Sequence, residues 1–302
     1  MMIKIREKWF AWLAFGAVSL FWGTTFFAIR VGVASFPPFL MAGFRHTIGG
    51  IIICSYFLLR GYSLPDKKAL KTFFINGFLM LVIGNGLVTW AEIYVSSGLA
   101  ALICALTPLW IVLINSFSGK RENISGLVWL GFLVCLIGQF LIFQDNLKDF
   151  ANPNYTLGII CIIIANLAWA IGTVYSKNHQ TQTHPLFGAG LQMISGGFVL
   201  DIIGTMKGEW EILNPEPVAV WMLTYLIVFG SMVAYGSYIY VLKKLPAAIV
   251  STYAFINTLV AIFIGWLWLN ETINLVVCIS VLLTLGGLWL INYAFNKNLA
   301  KS

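Results

Sequence analysis

Charge is what this chain of 302 residues most lacks: Asp, Glu, Lys and Arg together make up 10% of it. Soluble domains carry about a quarter. Hydrophobic residues make up 60% and the mean hydropathy is +0.89, more apolar surface than a soluble domain of this size can hide. The solvent for the remainder must be lipid. No Walker sequence or Gly-rich phosphate loop is present, which argues against direct ATP drive. The three histidines (His46, His179, His184) and eleven acids are scattered along the chain, so no catalytic, metal-binding or cofactor-binding set is expected, and the chain reads as no enzyme. Five cysteines (Cys54, Cys104, Cys135, Cys161, Cys278) fall inside apolar runs without paired spacing and read as small buried hydrophobes. The net charge of +7 comes from basic residues in short loops, a topology signal and not a nucleic-acid surface.

What the chain does have is a repeat. The stretch 20–50 recurs 147 residues later, with Leu20/Leu167, Trp22/Trp169, Pro38/Pro185, Ala42/Ala189, Gly43/Gly190, Gly49/Gly196 and Gly50/Gly197 identical. A later portion recurs at offset 149, with Glu122/Glu271, Ile124/Ile273, Leu136/Leu285, Gly138/Gly287, Leu141/Leu290 and Ile142/Ile291. Chance Leu and Ile matches are cheap in such a chain, so Trp, Pro, Glu and Gly carry the argument. Internal duplication of this kind marks transporters.

A bilayer core of about 30 Å needs roughly 20 helical residues. The apolar runs then give ten spans, at about 9–32, 38–59, 70–93, 98–117, 125–143, 156–176, 185–206, 219–240, 246–269 and 273–295. The run after Lys4, Arg6 and Lys8 has no evident small-residue cleavage site and reads as a retained first span. Fourteen Lys and Arg fall on one set of ends and three (Arg30, Lys148, Lys207) on the other. The positive-inside rule therefore places both termini in the cytoplasm. Five spans per copy is an odd number, so the second copy enters the membrane from the opposite face. The expected fold is an all-α membrane protein of ten transmembrane helices in two inverted five-helix repeats, residues 1–146 and 155–302.

Several stretches resemble the drug/metabolite transporter superfamily, specifically its EamA-type ten-helix members. They are Phe21-Trp22-Gly23-Thr24, Pro38 with Arg45 seven residues on, and Ser97-Gly98-Leu99-Ala100-Ala101-Leu102 running to Pro108. Lys120-Arg121-Glu122 ahead of Gly131 and Gly138 adds to these. The segment Asn85-Gly86-Leu87-Val88-Thr89-Trp90-Ala91-Glu92 is similar to a bacterial metabolite-exporter branch. The resemblance covers nearly the whole chain and implies an inner-membrane carrier, often an exporter of amino acids or other small metabolites. Two positions depart from it or from internal symmetry: Asn257 stands where a second Pro is usual, and Gln192 stands opposite Arg45.

Polar and aromatic residues inside spans are the candidate cavity lining. Trp22 lies thirteen residues past Trp9, roughly 20 Å along its helix, and Trp169 reaches similar depth from the other face. Tryptophan normally sits at the interface, as Trp9, Trp12, Trp129, Trp210 and Trp221 are placed to do. The two deep ones fit either cavity walls that stack on a substrate or packing between the repeats. Arg45 within its span needs an inward orientation and a partner. Glu92 is the one carboxylate at comparable depth in the first copy. The structural reading is an Arg45–Glu92 pair or simple snorkelling of Arg45. The functional one makes Glu92 the partner for a substrate amine or for a proton, and Arg45 the counter-charge for the substrate carboxylate. His46 beside it faces another way and is given little weight. Asn85 sits between two glycines. Thr25, Trp90, Asn166, Gln192, Tyr235, Tyr238 and Asn257 complete the set, each alone equally a helix–helix contact.

The function expected from these residues is a secondary transporter that exports a small metabolite, an amino acid or related organic solute, by alternating access through a midplane cavity between the repeats. Its partners would be the solute and the lipid bilayer, with no nucleic acid; a proton or counter-substrate and a homodimer stay open. The alternatives are a lipid or lipid-anchor flippase and, less favoured, a membrane-embedded enzyme.

Overall fold

The computed structural model describes residues 2–117, 125–143, 152–269 and 275–299. Ten helical units follow one another: α1 (Met2–Gly32), α2 (Pro38–Leu59), α3 (Lys67–Ala91), α4 (Ser97–Cys104 continued by Thr107–Phe117), α5 (Gly126–Phe143), α6 (Pro153–Asn178), α7 (Pro185–Met206), α8 (Pro217–Lys244), α9 (Ala247–Ser251 continued by Tyr253–Leu269) and α10 (Leu275–Leu299). Eight are long and apolar enough to cross a membrane, while α5 and α10 carry shorter apolar stretches, Gly126–Gly138 and Cys278–Ile291. The ten expected spans are there, as two inverted five-helix repeats. Glu122, Glu271 and the loop around Asp145 and Asp149 lie outside the described residues.

The duplication extends to caps the sequence reading passed over. α2 and α7 both begin with Pro at the first turn, where its missing N–H costs nothing. Both end in a Schellman turn. Gly61 and Gly208 take φ of 83° and 71°, while the next residue's N–H returns to a carbonyl inside the helix (Tyr62 to Phe57, 3.1 Å; Glu209 to Gly204, 3.0 Å).

Each repeat is completed by the other. α1 packs on α8 and α9 of the second copy, and its counterpart α6 packs on α3 and α4 of the first. The axis relating the copies runs through the pairs α2–α7 and α5–α10. Lipid tails offer no hydrophobic drive for helices to associate, so close backbone approach must supply the contact. A Cβ on Gly50 would stand 2.8 Å from the Gly190 carbonyl, and one on Gly131 would stand 2.8 Å from that of Gly287. The outward faces are apolar, and Trp9, Trp12, Trp129, Trp210 and Trp221 are exposed there.

Two features interrupt regular helix at equivalent places. In α3 residues Gly77–Gly86, and in α8 residues Leu226–Tyr235, the turns widen to π-helix; the two segments stand 149 residues apart. In α4 the helix breaks at Ala105–Leu106, just ahead of Pro108, and α9 breaks at Thr252 without any proline. The span expected to run unbroken over 98–117 is therefore two pieces.

Candidate functional site

The two breaks and the first π segment border a cavity of about 80 Å³ between the repeats. α1 supplies Trp22 and Thr25, α2 Arg45, α3 Asn85, α4 Cys104 and Thr107, α6 Asn166 and Trp169, and α9 Tyr253 and Asn257. Seven of the twelve residues singled out from the sequence meet here: Trp22, Thr25, Arg45, Asn85, Asn166, Trp169 and Asn257.

Local chemistry explains how each is held. Pro108 has no N–H to offer the Cys104 carbonyl four residues back. The Thr107 hydroxyl takes that carbonyl at 2.6 Å, and Asn166 Nδ2 takes the Ile103 carbonyl at 2.6 Å. Asn166 is thus the group that satisfies the broken α4. Asn257, in place of a second proline, ties α9 to α1: with its amide turned so that the nitrogen faces the two carbonyls beside it, it donates to Ser19 at 2.7 Å and to Tyr253 at 3.1 Å.

The π segments act as receptors for side chains of neighbouring helices. Gly84 in the first leaves room for the Trp169 ring, 3.1 Å from where a Cβ would stand. In the second, the Gly230 carbonyl accepts the Trp22 indole N–H at 3.0 Å, and Ser231 Oγ accepts from Arg45 Nε at 3.1 Å. Ser231 also meets His46 Nδ1 at 3.3 Å, and His46 Nε2 meets Asn85 Oδ1 at 3.1 Å. His46, set aside in the sequence reading, is fully buried and bridges α2 to both π segments. Its position beside Arg45 was visible; the wide turns that bring both residues inward were not.

Five candidates stand off the cavity wall. Trp90 packs against Tyr94, ring centroids 5.2 Å apart. Tyr235 donates to Gln192 Oε1 at 2.6 Å, away from the cavity. Tyr238 is hydrogen-bonded to Thr173 at 2.6 Å and packs beneath Trp22, centroids 5.1 Å apart, so it closes one end of the cavity. Glu92 is fully buried, yet neither carboxylate oxygen has a hydrogen-bond partner. The Arg45–Glu92 ion pair is therefore not formed, because Arg45 turns to Ser231 and leaves its Nη1 unpartnered. The Glu92 backbone carbonyl and that of Ile93 are instead held by Arg30. Gln192 faces a separate cavity, lined also by Asn76 and Lys243.

Arg30 has a counterpart that pattern matching missed because the residue type differs. Lys177 lies 147 positions on and donates to the Leu242 and Leu245 carbonyls, each at 2.8 Å. In each repeat, a cation at the end of the first helix fastens the carbonyl end of the third. Inversion puts the two fastenings on opposite faces of the bundle.

Ten helices in two interlocked, inverted copies around a polar and aromatic cavity define a membrane transporter of the inverted-repeat class. The chain belongs to the EamA-like transporter family, which matches residues 9–144 and 156–293. YedA of Escherichia coli K12, described as an uncharacterized inner membrane transporter, is 34% identical over 280 residues, 89% of each chain. YoaV of Bacillus subtilis, described as an uncharacterized transporter, is 26% identical over 290 residues, covering 93% of this chain and 96% of YoaV. A crystal structure of an 18% identical protein superposes with a TM-score of 0.76 over 94% of this chain and 97% of that one, a likeness of fold.

Proposed function

We propose that the chain is a secondary carrier that exports a small organic solute, an amino acid or a relative of one, by alternating access through the central cavity. The observation that supports this reading is the cavity wall itself. Arg45 Nη1 is a buried donor without an acceptor among the described residues, and no carboxylate among them lines the space beside it. An unpaired buried donor costs about 1–3 kcal/mol, and a substrate carboxylate would offset it. Trp22, Trp169 and Tyr253 supply rings against which an apolar side chain packs. At about 80 Å³ the cavity is roughly half the ~150 Å³ of one that takes up a benzene, so passage of an amino acid requires the halves to move apart. With fourteen of the basic residues on the terminal side, both termini are assigned to the cytoplasm.

A thermal-shift screen of the purified protein against amino acids, nucleosides, polyamines and amphipathic cations identifies the solute class. Counterflow in proteoliposomes, with and without a pH gradient, then tests carriage and proton coupling. An absence of counterflow for every stabilising compound would sink the carrier reading.

A further inference from the structure

A second cavity lies beyond the aromatic cluster, around Gln192. Positions 45 and 192 are equivalent in the inverted copies, so this cavity approaches the centre from the opposite face to Arg45. Trp22, Trp169, Tyr235 and Tyr238, with centroids between 5.1 and 6.4 Å apart, stand between the two spaces. The inner recess measures about 40 Å³. Through Thr72, Thr181 and Thr183 it shares its wall with a wider groove of about 500 Å³.

The recess combines groups that lack partners of opposite kinds. Asn76 is 1% exposed and its Oδ1 has no donor. It stands where α3 passes from α- to π-helix, against the backbone of α7: a Cβ on the next residue, Gly77, would meet the Gln192 carbonyl at 2.6 Å. Gln192 is 2% exposed; Tyr235 occupies its Oε1, which leaves the amide N–H groups. Lys243 donates to the Thr181 and Thr183 carbonyls at 3.1 and 3.2 Å, and an ammonium has a third N–H to give. His184 at the rim has its pKa lowered by burial and by Lys243, so it is neutral at pH 7. Among the described residues no carboxylate lines the recess; Asp66, at the edge of the groove, accepts from the Ala69 N–H at 2.8 Å as a helix cap. An acceptor wanting a donor thus stands beside donors wanting an acceptor. Phe73 supplies an apolar wall.

We propose that the Asn76–Gln192 recess is a second binding site, a vestibular station for a zwitterionic head group. The ammonium is held by Asn76 Oδ1, and the carboxylate by the Gln192 amide and Lys243. The station lies on the side of the aromatic cluster opposite Arg45 and receives solute before the halves rock. It rests on the carrier reading but has its own readout.

The test uses the full chain in nanodiscs and fluorine NMR of three probes: 4-fluoro-L-phenylalanine, its N-acetyl derivative without the ammonium, and 4-fluorophenethylamine without the carboxylate. The zwitterion is expected to bind, and each single-headed probe to bind about tenfold more weakly, the equivalent of roughly 1.4 kcal/mol. Asn76→Leu and Gln192→Leu should each remove a component of zwitterion binding that Arg45→Gln leaves in place. Asn76→Asp keeps the shape and the acceptor, so it should retain the zwitterion and strengthen the amine probe. It also covers the case in which the leucine variants do not fold. Equal binding of all three probes overturns the proposal, as does no binding at millimolar concentration, or unchanged binding in folded Asn76→Leu and Gln192→Leu. Loss of vestibular binding in these variants without any counterflow in the wild type would retain the station and discard the carrier reading.

Discussion

Trp22 and Trp169 meet edge to face, ring centroids 5.3 Å apart and planes at 82°. They occupy the same place in the two copies, so the contact lies where the inverted halves face one another. Edge-to-face pairs of this kind add about 0.5–1.5 kcal/mol beyond their buried area. The pair is equal in shape and unequal in hydrogen bonding: Trp22 donates to the Gly230 carbonyl at 3.0 Å, whereas the Trp169 indole N–H faces the Tyr238 and Tyr253 hydroxyls without so close a bond.

Removing either ring should abolish transport and leave membrane insertion intact. The measurement is counterflow of the stabilising solute for Trp22→Ala and Trp169→Ala, alongside the yield of each variant in the membrane fraction. Wild-type rates in both variants would discard a role for the rings in carriage.

Phenylalanine at the same positions separates ring from N–H. Trp22→Phe removes the indole bond to the Gly230 carbonyl and should cost about 0.5–1.5 kcal/mol. Trp169→Phe gives up only the looser approach of its N–H to Tyr238 and Tyr253 and should cost less. Thermal midpoints of the two purified variants decide it. A larger drop for Trp169→Phe contradicts the assignment.

The helix count, the inversion and the deep tryptophans were legible because hydropathy and repeated Trp, Pro and Gly survive in the letters. The π segments were not, since Gly77–Gly86 and Leu226–Tyr235 share almost no residues and a widened turn has no periodicity of its own. With them went the placement of His46, Arg45 and Ser231. Pro108 gave notice of a break in α4, yet α9 breaks as well with Asn257 in that place, so the break belongs to the fold and proline only accommodates it. Depth allows an Arg45–Glu92 pair but does not say which way a guanidinium turns, and Arg45 turns to Ser231.

Gly230 tests the receptor role of the second π segment. A methyl group there would stand 2.9 Å from both Arg45 Nη2 and Thr25 Cγ2, so the guanidinium must move. Gly230→Ala should lower counterflow severalfold, while Gly16→Ala on the outer face of α1, with nothing within 4 Å, should leave it unchanged and gain up to about 1 kcal/mol of helix propensity. Equal activities would show that Arg45 does not need its present position.

The Arg30 and Lys177 fastenings close opposite faces, so cutting one should expose the cavity to one side only. Each is a charged donor on helix-end carbonyls, a bond of about 1.5–3 kcal/mol, enough to shift a balanced equilibrium between open states by an order of magnitude. Cys104 lines the central cavity and serves as a native reporter once Cys54, Cys135, Cys161 and Cys278 are replaced by alanine. With a membrane-impermeant maleimide outside right-side-out vesicles, Arg30→Gln should speed labelling of Cys104 about tenfold. Lys177→Gln should slow it, because on the proposed topology the Lys177 fastening is the cytoplasmic one, and releasing it favours the inward-open state and closes the outer approach. Movement of both rates in the same direction would show that the two cations serve general stability and not the alternation of the halves.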